Sequence, residues 1–163
     1  MKFRSFIDRV LEFLLVAIMG LLVLDVLWQV ISRYLLQSPS SFTDELARFL
    51  LIWVGILGAA YATGQKLHLA IDVWINRFSS ANRQIVDRFI NIAVALFGLL
   101  VMVIGGINLI NILLKSGNIS PALSIPIGYV YAVIPFSGLL IIYYSLFDLF
   151  SGKKVIHEKY FVD

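Results

Sequence analysis

Four long apolar runs dominate this sequence, and a chain patterned this way has no plausible aqueous fold. The first covers 10–31 and is interrupted by Glu12, Asp25 and Gln29. The second has an uncharged stretch over 49–62, which at 14 residues is shorter than the roughly 20 a helix needs to cross a hydrocarbon core. It is therefore expected to extend back through Arg48 and Glu45, placing those charges at the interface or against a partner. The third, 89–114, has only asparagines as strongly polar members, and the fourth, 127–147, is uncharged but contains Pro135, where a kink is expected. Hydrophobic residues make up 60% of the chain and charged ones 14%, against about a quarter charged in soluble domains. The expected fold is an all-α integral membrane protein, a four-span helical bundle forming one membrane domain over 1–163. Its spans are placed at about 10–33, 43–63, 85–114 and 127–149.

The distribution of Lys and Arg sets the orientation. Lys2, Arg4 and Arg9 precede the first span, Lys66, Arg77, Arg83 and Arg88 lie between the second and third, and Lys153, Lys154 and Lys159 follow the fourth. Only Arg33, Arg48 and Lys115 fall on the other side. The two sides alternate as four spans require, so both termini are expected inside. The first run is too long for a signal-peptide core, contains Asp25 and lacks a small-x-small cleavage site, so it reads as a retained span.

Turn chemistry falls where the map needs it. Ser38-Pro39-Ser40-Ser41 breaks the chain after the first span, and Ser41-Phe42-Thr43-Asp44 has the form of a helix start. Ser116-Gly117-Asn118 ends the third span, and Pro121 and Pro126 frame the loop before the fourth. Two stretches read as lying along the membrane. Phe3, Phe6, Ile7 and Val10 share one helical face, and 67–78 is an amphipathic interfacial helix between spans two and three. In the latter, Leu67, Ala70, Ile71, Trp74 and Phe78 oppose His68, Asp72 and Asn76. Such a helix can float in the lipid headgroup layer or brace a neighbouring subunit.

Asp25 lies well inside the first span, where an ionisable group points either to an ion or substrate path or to buried polar glue. Gln29, Ser32 and Arg33 continue its stripe, and an isolated acid favours the glue reading. Glu12 sits near the inner end, beside Asp8 and Arg9, as an interface charge. Asp44, Glu45 and Arg48 cluster at the mouth of the second span, with Arg33 facing them and Glu45 and Arg48 as i, i+3 neighbours. The paired glycines, Gly55 with Gly58 and Gly105 with Gly106, read as points of close helix approach. The chain has no cysteine, and His68 and His157 lie outside the spans, so no thiolate site or haem-bracketing pair is expected. No cofactor or metal is expected, and no nucleophile, base and orienter fall together, which argues against an enzyme. The dispersed basic residues encode topology rather than nucleic-acid binding.

Arg33-Tyr34, Pro39, Phe42, Asp44-Glu45, Ala47-Arg48, Trp53, Gly58-Ala59-Ala60, His68 and Asp72 follow one another in a fixed order over about forty residues. In that order and spacing the sequence resembles the small membrane subunit of tripartite ATP-independent periplasmic (TRAP) transporters, the DctQ-like family. A weaker match is Ser124-Ile125-Pro126, Tyr129 and Ala132-Val133-Ile134-Pro135. Phe42 stands where the family often has tryptophan. The resemblance implies a non-catalytic subunit in a bacterial inner membrane, partnered by a large multi-span subunit carrying substrate and sodium sites. It also implies a periplasmic substrate-binding protein delivering an organic acid, such as sialic acid or a C4-dicarboxylate. On that footing Arg33, Asp44, Glu45 and Arg48, with Asp25, Gln29 and Trp53, are partner-interface residues near the outer side. His68, Asp72 and Trp74 would meet the large subunit on the inner side. The competing expectation is a self-sufficient homodimeric exporter coupled to protons through Glu12 or Asp25.

Overall fold

A computed structural model describes residues 2–38, 40–65 and 80–151. The interfacial helix expected at 67–78, with His68, Asp72 and Trp74, lies outside the described residues. The elements are α1 (Lys2–Tyr34), α2 (Ser41–Gly64), α3 (Ser80–Phe97), a π-helical segment (Gly98–Gly105), α4 (Gly106–Lys115), α5 (Ile127–Val130) and α6 (Val133–Ser151). Four stretches are long and apolar enough to cross a membrane: Arg4–Tyr34, Ser41–Gly64, Ile85–Lys115 and Ile127–Phe150. Among the described residues, strand pairing is confined to one isolated bridge, Ile119 with Pro126.

The third stretch is continuous through α3, the π segment and α4, and it packs on α6. α6 also packs on α2, and α2 on α1. The spans therefore neighbour one another in the order one, two, four, three, and the fourth is the most enclosed. Leu11, Leu57, Val133 and Tyr144 form the buried centre, with Ile52, Ile56 and Leu140 packed around it. Polar bonds stitch the same seam. The buried Ser137 hydroxyl donates to the Ile56 carbonyl at 2.8 Å, and the Trp53 indole N–H donates to the Val130 carbonyl at 3.0 Å. Within hydrocarbon such donors have few alternatives, so they fix the register of α2 against the fourth span. Trp53→Phe should lower the unfolding midpoint of the detergent-solubilised chain, by a loss of about 1 kcal/mol. An unchanged midpoint would show that the indole bond contributes nothing to stability.

Two local expectations need correction. The stretch containing Phe6, Ile7 and Val10 is no separate interfacial element, because α1 runs unbroken from Lys2. Continuing the helix keeps its backbone donors and acceptors paired. The α2 cap is Ser40, one residue earlier than expected: its Oγ accepts the Thr43 N–H, and the Thr43 hydroxyl donates to the Ser40 carbonyl at 3.0 Å. The interruption expected from Pro135 is present: its ring excludes the carbonyl of Tyr131, four residues back, which accepts the Ile134 N–H at 3.0 Å instead. The fourth span breaks at 131–132, and Pro135 is the third residue of α6, a position whose missing N–H would have had no helical partner. The Ser116-Gly117-Asn118 stop is present in the expected place. Gly117 adopts φ +63°, and the N–H groups of Gly117 and Asn118 return to the carbonyls of Leu114 and Leu113 in a Schellman closure.

Candidate functional site

Polar groups concentrate at the two ends of the bundle. One end, here termed the rim, is formed by the α1–α2 turn and the loop over 116–126; the other, the base, joins α1, α2 and α6. At the rim, α2 begins with an acidic first turn, which suits the unpaired N–H groups there. Asp44 accepts a hydrogen bond from Gln29 Nε2 at 2.9 Å, tying α2 to α1, and forms an ion pair with Arg48. Arg33 is exposed at the end of α1, close enough to Asp44 to act on its charge. The ion pair therefore links positions i and i+4 of α2.

Glu45 does something else. Its Oε2 accepts the backbone N–H of Ala122 at 2.8 Å and that of Leu123 at 3.3 Å. Ser120, buried beside them, offers its own Oγ to the Leu123 N–H at 3.2 Å. The α helix period places Asp44 and Glu45 on adjacent sides of α2, so one acid faces α1 and Arg48 while the other faces the distant loop.

Below the rim, Asp25 is only 7% exposed, and its Oδ2 is enclosed without a hydrogen-bond partner among the described residues. Gln29, one turn on, is committed to Asp44, and Ser32 to the Gln29 carbonyl at 3.0 Å. The polar stripe of α1 thus does not converge on Asp25. Glu12 is exposed on α1. Trp53 lies inside the seam already described, and His68, Asp72 and Trp74 are not among the described residues.

The base carries a cluster that the sequence reading passed over. Arg4 Nη1 donates to Asp148 Oδ1 at 2.7 Å, and Nη2 to the Gly64 carbonyl. Its guanidinium lies 5.6 Å from the Tyr144 ring centre and 5.0 Å from that of Phe147. The Tyr144 hydroxyl, fully buried, donates to Asp8 Oδ1 at 2.6 Å. The available signal was the i, i+4 spacing of Arg4 with Asp8 and of Tyr144 with Asp148, which gives each helix a polar stripe at this end.

Four apolar crossings capped by polar clusters define a multi-pass helical membrane protein. Residues 22–153 match the DctQ component of the tripartite ATP-independent periplasmic transporters. The chain belongs to this family, whose members are transporter components. It is 28% identical over 155 residues to a protein of Haemophilus influenzae named as a TRAP transporter small permease protein, covering 91% of this chain and 94% of that one. The C4-dicarboxylate TRAP transporter small permease protein DctQ of Rhodobacter capsulatus is 30% identical over 126 residues, 75% of this chain and 55% of that one. The sialic acid TRAP transporter small permease protein SiaQ of Vibrio cholerae is 30% identical over 80 residues, 49% of this chain and 46% of that one. This membership lends no support to the exporter expectation built on Glu12 or Asp25.

Proposed function

We propose that this chain is the non-catalytic small membrane subunit of a TRAP secondary transporter that imports an organic acid. It sits in the bacterial inner membrane with both termini cytoplasmic, so the rim faces the periplasm. It braces a large multi-span subunit, which holds the substrate and the coupling sodium, and it helps a periplasmic binding protein to dock. Relatives are named for both sialic acid and C4-dicarboxylates, which supports an organic acid as the substrate class. The observation that carries this reading is the rim itself, in a chain of this family. There Gln29 and Asp44 join the first two spans, Arg48 pairs with Asp44 along the second, and Glu45 joins the second to the loop before the fourth. A surface tied across three spans is a stable platform for a partner in water. Arg33, Asp44 and Arg48 form this contact region, with Glu45, Asp25, Gln29 and Trp53 supporting it. On the inner side, His68, Asp72 and Trp74 meet the large subunit.

The deciding experiment is affinity purification of the tagged chain, expressed with its native neighbouring genes, in mild detergent. Recovery of a stoichiometric multi-span partner is the expected result, and a clean homodimer would overturn the assignment. Within an assembled transporter, replacing Glu45 and Arg48 together with alanine should reduce uptake several-fold, given about 0.5–1.5 kcal/mol for each lost bond. Uptake and assembly both unchanged would remove the rim from the docking role.

A further inference from the structure

The tip of the loop over 116–126 is held partly by Ser120 from within and partly by Glu45 from α2. The two ends of the loop are paired: Ser120 N–H donates to the Ile125 carbonyl at 2.9 Å and Ile127 N–H to the Asn118 carbonyl at 3.0 Å. Between them the chain turns through Ser124, whose φ of +55° is uncommon for a residue with a side chain. The Ser124 N–H returns to the Ser120 carbonyl at 2.9 Å. Ala122 and Leu123 at the tip depend for their N–H groups on Glu45, with Ser120 Oγ as a second acceptor for Leu123. A carboxylate accepting two backbone N–H groups makes charge-assisted bonds, stronger than neutral ones. Glu45 therefore clasps the tip from a rigid helix that lies 77 residues earlier in the chain.

The shape so fixed has a distinct chemical character. Ile119 and Ile125 are 59% and 40% exposed, and Pro121 and Ser124 are exposed beside them. The elements that form the rim also carry the exposed cations Arg33, Arg48 and Lys115, the last directly before the loop. Arg48 is balanced by its ion pair with Asp44, and the Glu45 carboxylate is turned to the loop amides, which leaves Arg33 and Lys115 as the outward cations of the rim. The surface is apolar at its tip and basic at its edge. It lies past the helix ends, where a water-soluble partner rather than a membrane helix has access.

We infer that Glu45 is a positioning residue and not a contact residue: it holds the 116–126 loop in the form that receives an acidic, apolar-centred patch of the soluble binding protein. The inference rests on the proposed function, which puts the binding protein at the rim. Truncating Glu45 frees the tip without removing any group that touches the partner. The loop then samples many shapes, and the binding protein meets the correct one less often.

The test uses the intact complex of this chain and its large subunit, reconstituted in vesicles, with purified binding protein and wild-type, Glu45→Ala and Glu45→Gln chains. Amide hydrogen exchange over 119–125 is read in the same preparations. Glu45→Ala should speed exchange at 122 and 123 and raise the half-saturating concentration of binding protein roughly three- to tenfold. The maximal uptake rate at saturating binding protein should stay close to wild type. Glu45→Gln keeps one acceptor oxygen and should fall between the two. Unchanged exchange in Glu45→Ala would overturn the clasp, and faster exchange with unchanged half-saturation would overturn its role in docking. A fall in maximal rate alone, or failure of both variants to assemble, would make Glu45 a purely structural residue and also overturn it. If wild-type uptake needs no soluble binding protein, the proposed function itself fails, while the exchange comparison still judges the clasp.

Discussion

Arg4→Ala should loosen the base of the bundle and lower the stability of the chain by about 3 kcal/mol. The guanidinium is 21% exposed and its partner Asp148 carboxylate 7%, so this is a largely enclosed pair and not a surface contact. Surface pairs contribute little, because water competes for both partners and salt screens them. Removing one member of an enclosed pair is costly because the other keeps its desolvation penalty without that counter-charge. Here the same side chain also serves the Gly64 carbonyl at the end of α2 and lies over the rings of Tyr144 and Phe147. Truncation thus takes away a bond to α2, an ion pair to α6 and the cover of two aromatic rings together. Arg4→Lys keeps the charge but not the planar fork that reaches two acceptors, and should be intermediate. Arg9→Ala, at an exposed position on α1, removes the same charge from the same end and should leave the midpoint unchanged. The measurement is the thermal midpoint of the detergent-solubilised chain, followed by size-exclusion fluorescence. If Arg4→Ala and Arg9→Ala behave alike, the cluster contributes only charge.

The contrast between Arg4 and Arg9 also shows where sequence reasoning reached its limit. The positive-inside count treats both as equal markers of orientation, because the bilayer responds to charge near a span whatever that charge touches. Which of the two turns inward depends on α6, whose packing no local pattern encodes. The four crossings were legible because the solvent imposes them: about 20 apolar residues are required wherever a helix meets hydrocarbon. The Gly117 turn was legible for a similar local reason, since a left-handed residue at a helix end favours glycine. Asp44 and Glu45 were legible as a charged pair at a helix start. Their division of labour was not, because the partner of Glu45 lies 77 residues away and is backbone, which carries no sequence signature. Pro135 was legible as an interruption of the fourth span, because its ring excludes the carbonyl four residues back; that the turn at Tyr131 and Ala132 would end α5 against Trp53 was not. The π-helical turns over Gly98–Gly105 left only an ambiguous trace, a glycine at each end of an apolar run.

Those turns pack closely against α6 at Gly138, and Gly138→Ala should force the two apart. A β-carbon at position 138 would lie 2.7 Å from Met102 Cβ, 3.0 Å from Val103 Cγ2 and 3.1 Å from the Gly98 carbonyl oxygen. Two of these three neighbours are main chain or bonded to it, so no rotamer change can relieve the overlap. Overpacking of this kind costs about 1–3 kcal/mol when the surroundings can yield, and a leucine at the same site should prevent the third and fourth spans from closing. The sequence drew attention to other glycines, and the comparison with them is the informative control. Gly55 and Gly58 have open space where a β-carbon would stand, so alanine there should leave the isolated chain unchanged or gain up to about 1 kcal/mol from helix propensity. The measurement is the same detergent midpoint for Gly138→Ala, Gly138→Leu, Gly55→Ala and Gly58→Ala. A Gly138→Ala midpoint equal to that of Gly55→Ala would mean that the third and fourth spans are not held at this distance. Leucine at Gly55 or Gly58 extends the comparison to assembly: if that face of α2 meets the large subunit, the variant chain stays folded alone but loses its partner on purification. Retention of the partner by both leucine variants would assign the open face of these glycines to lipid.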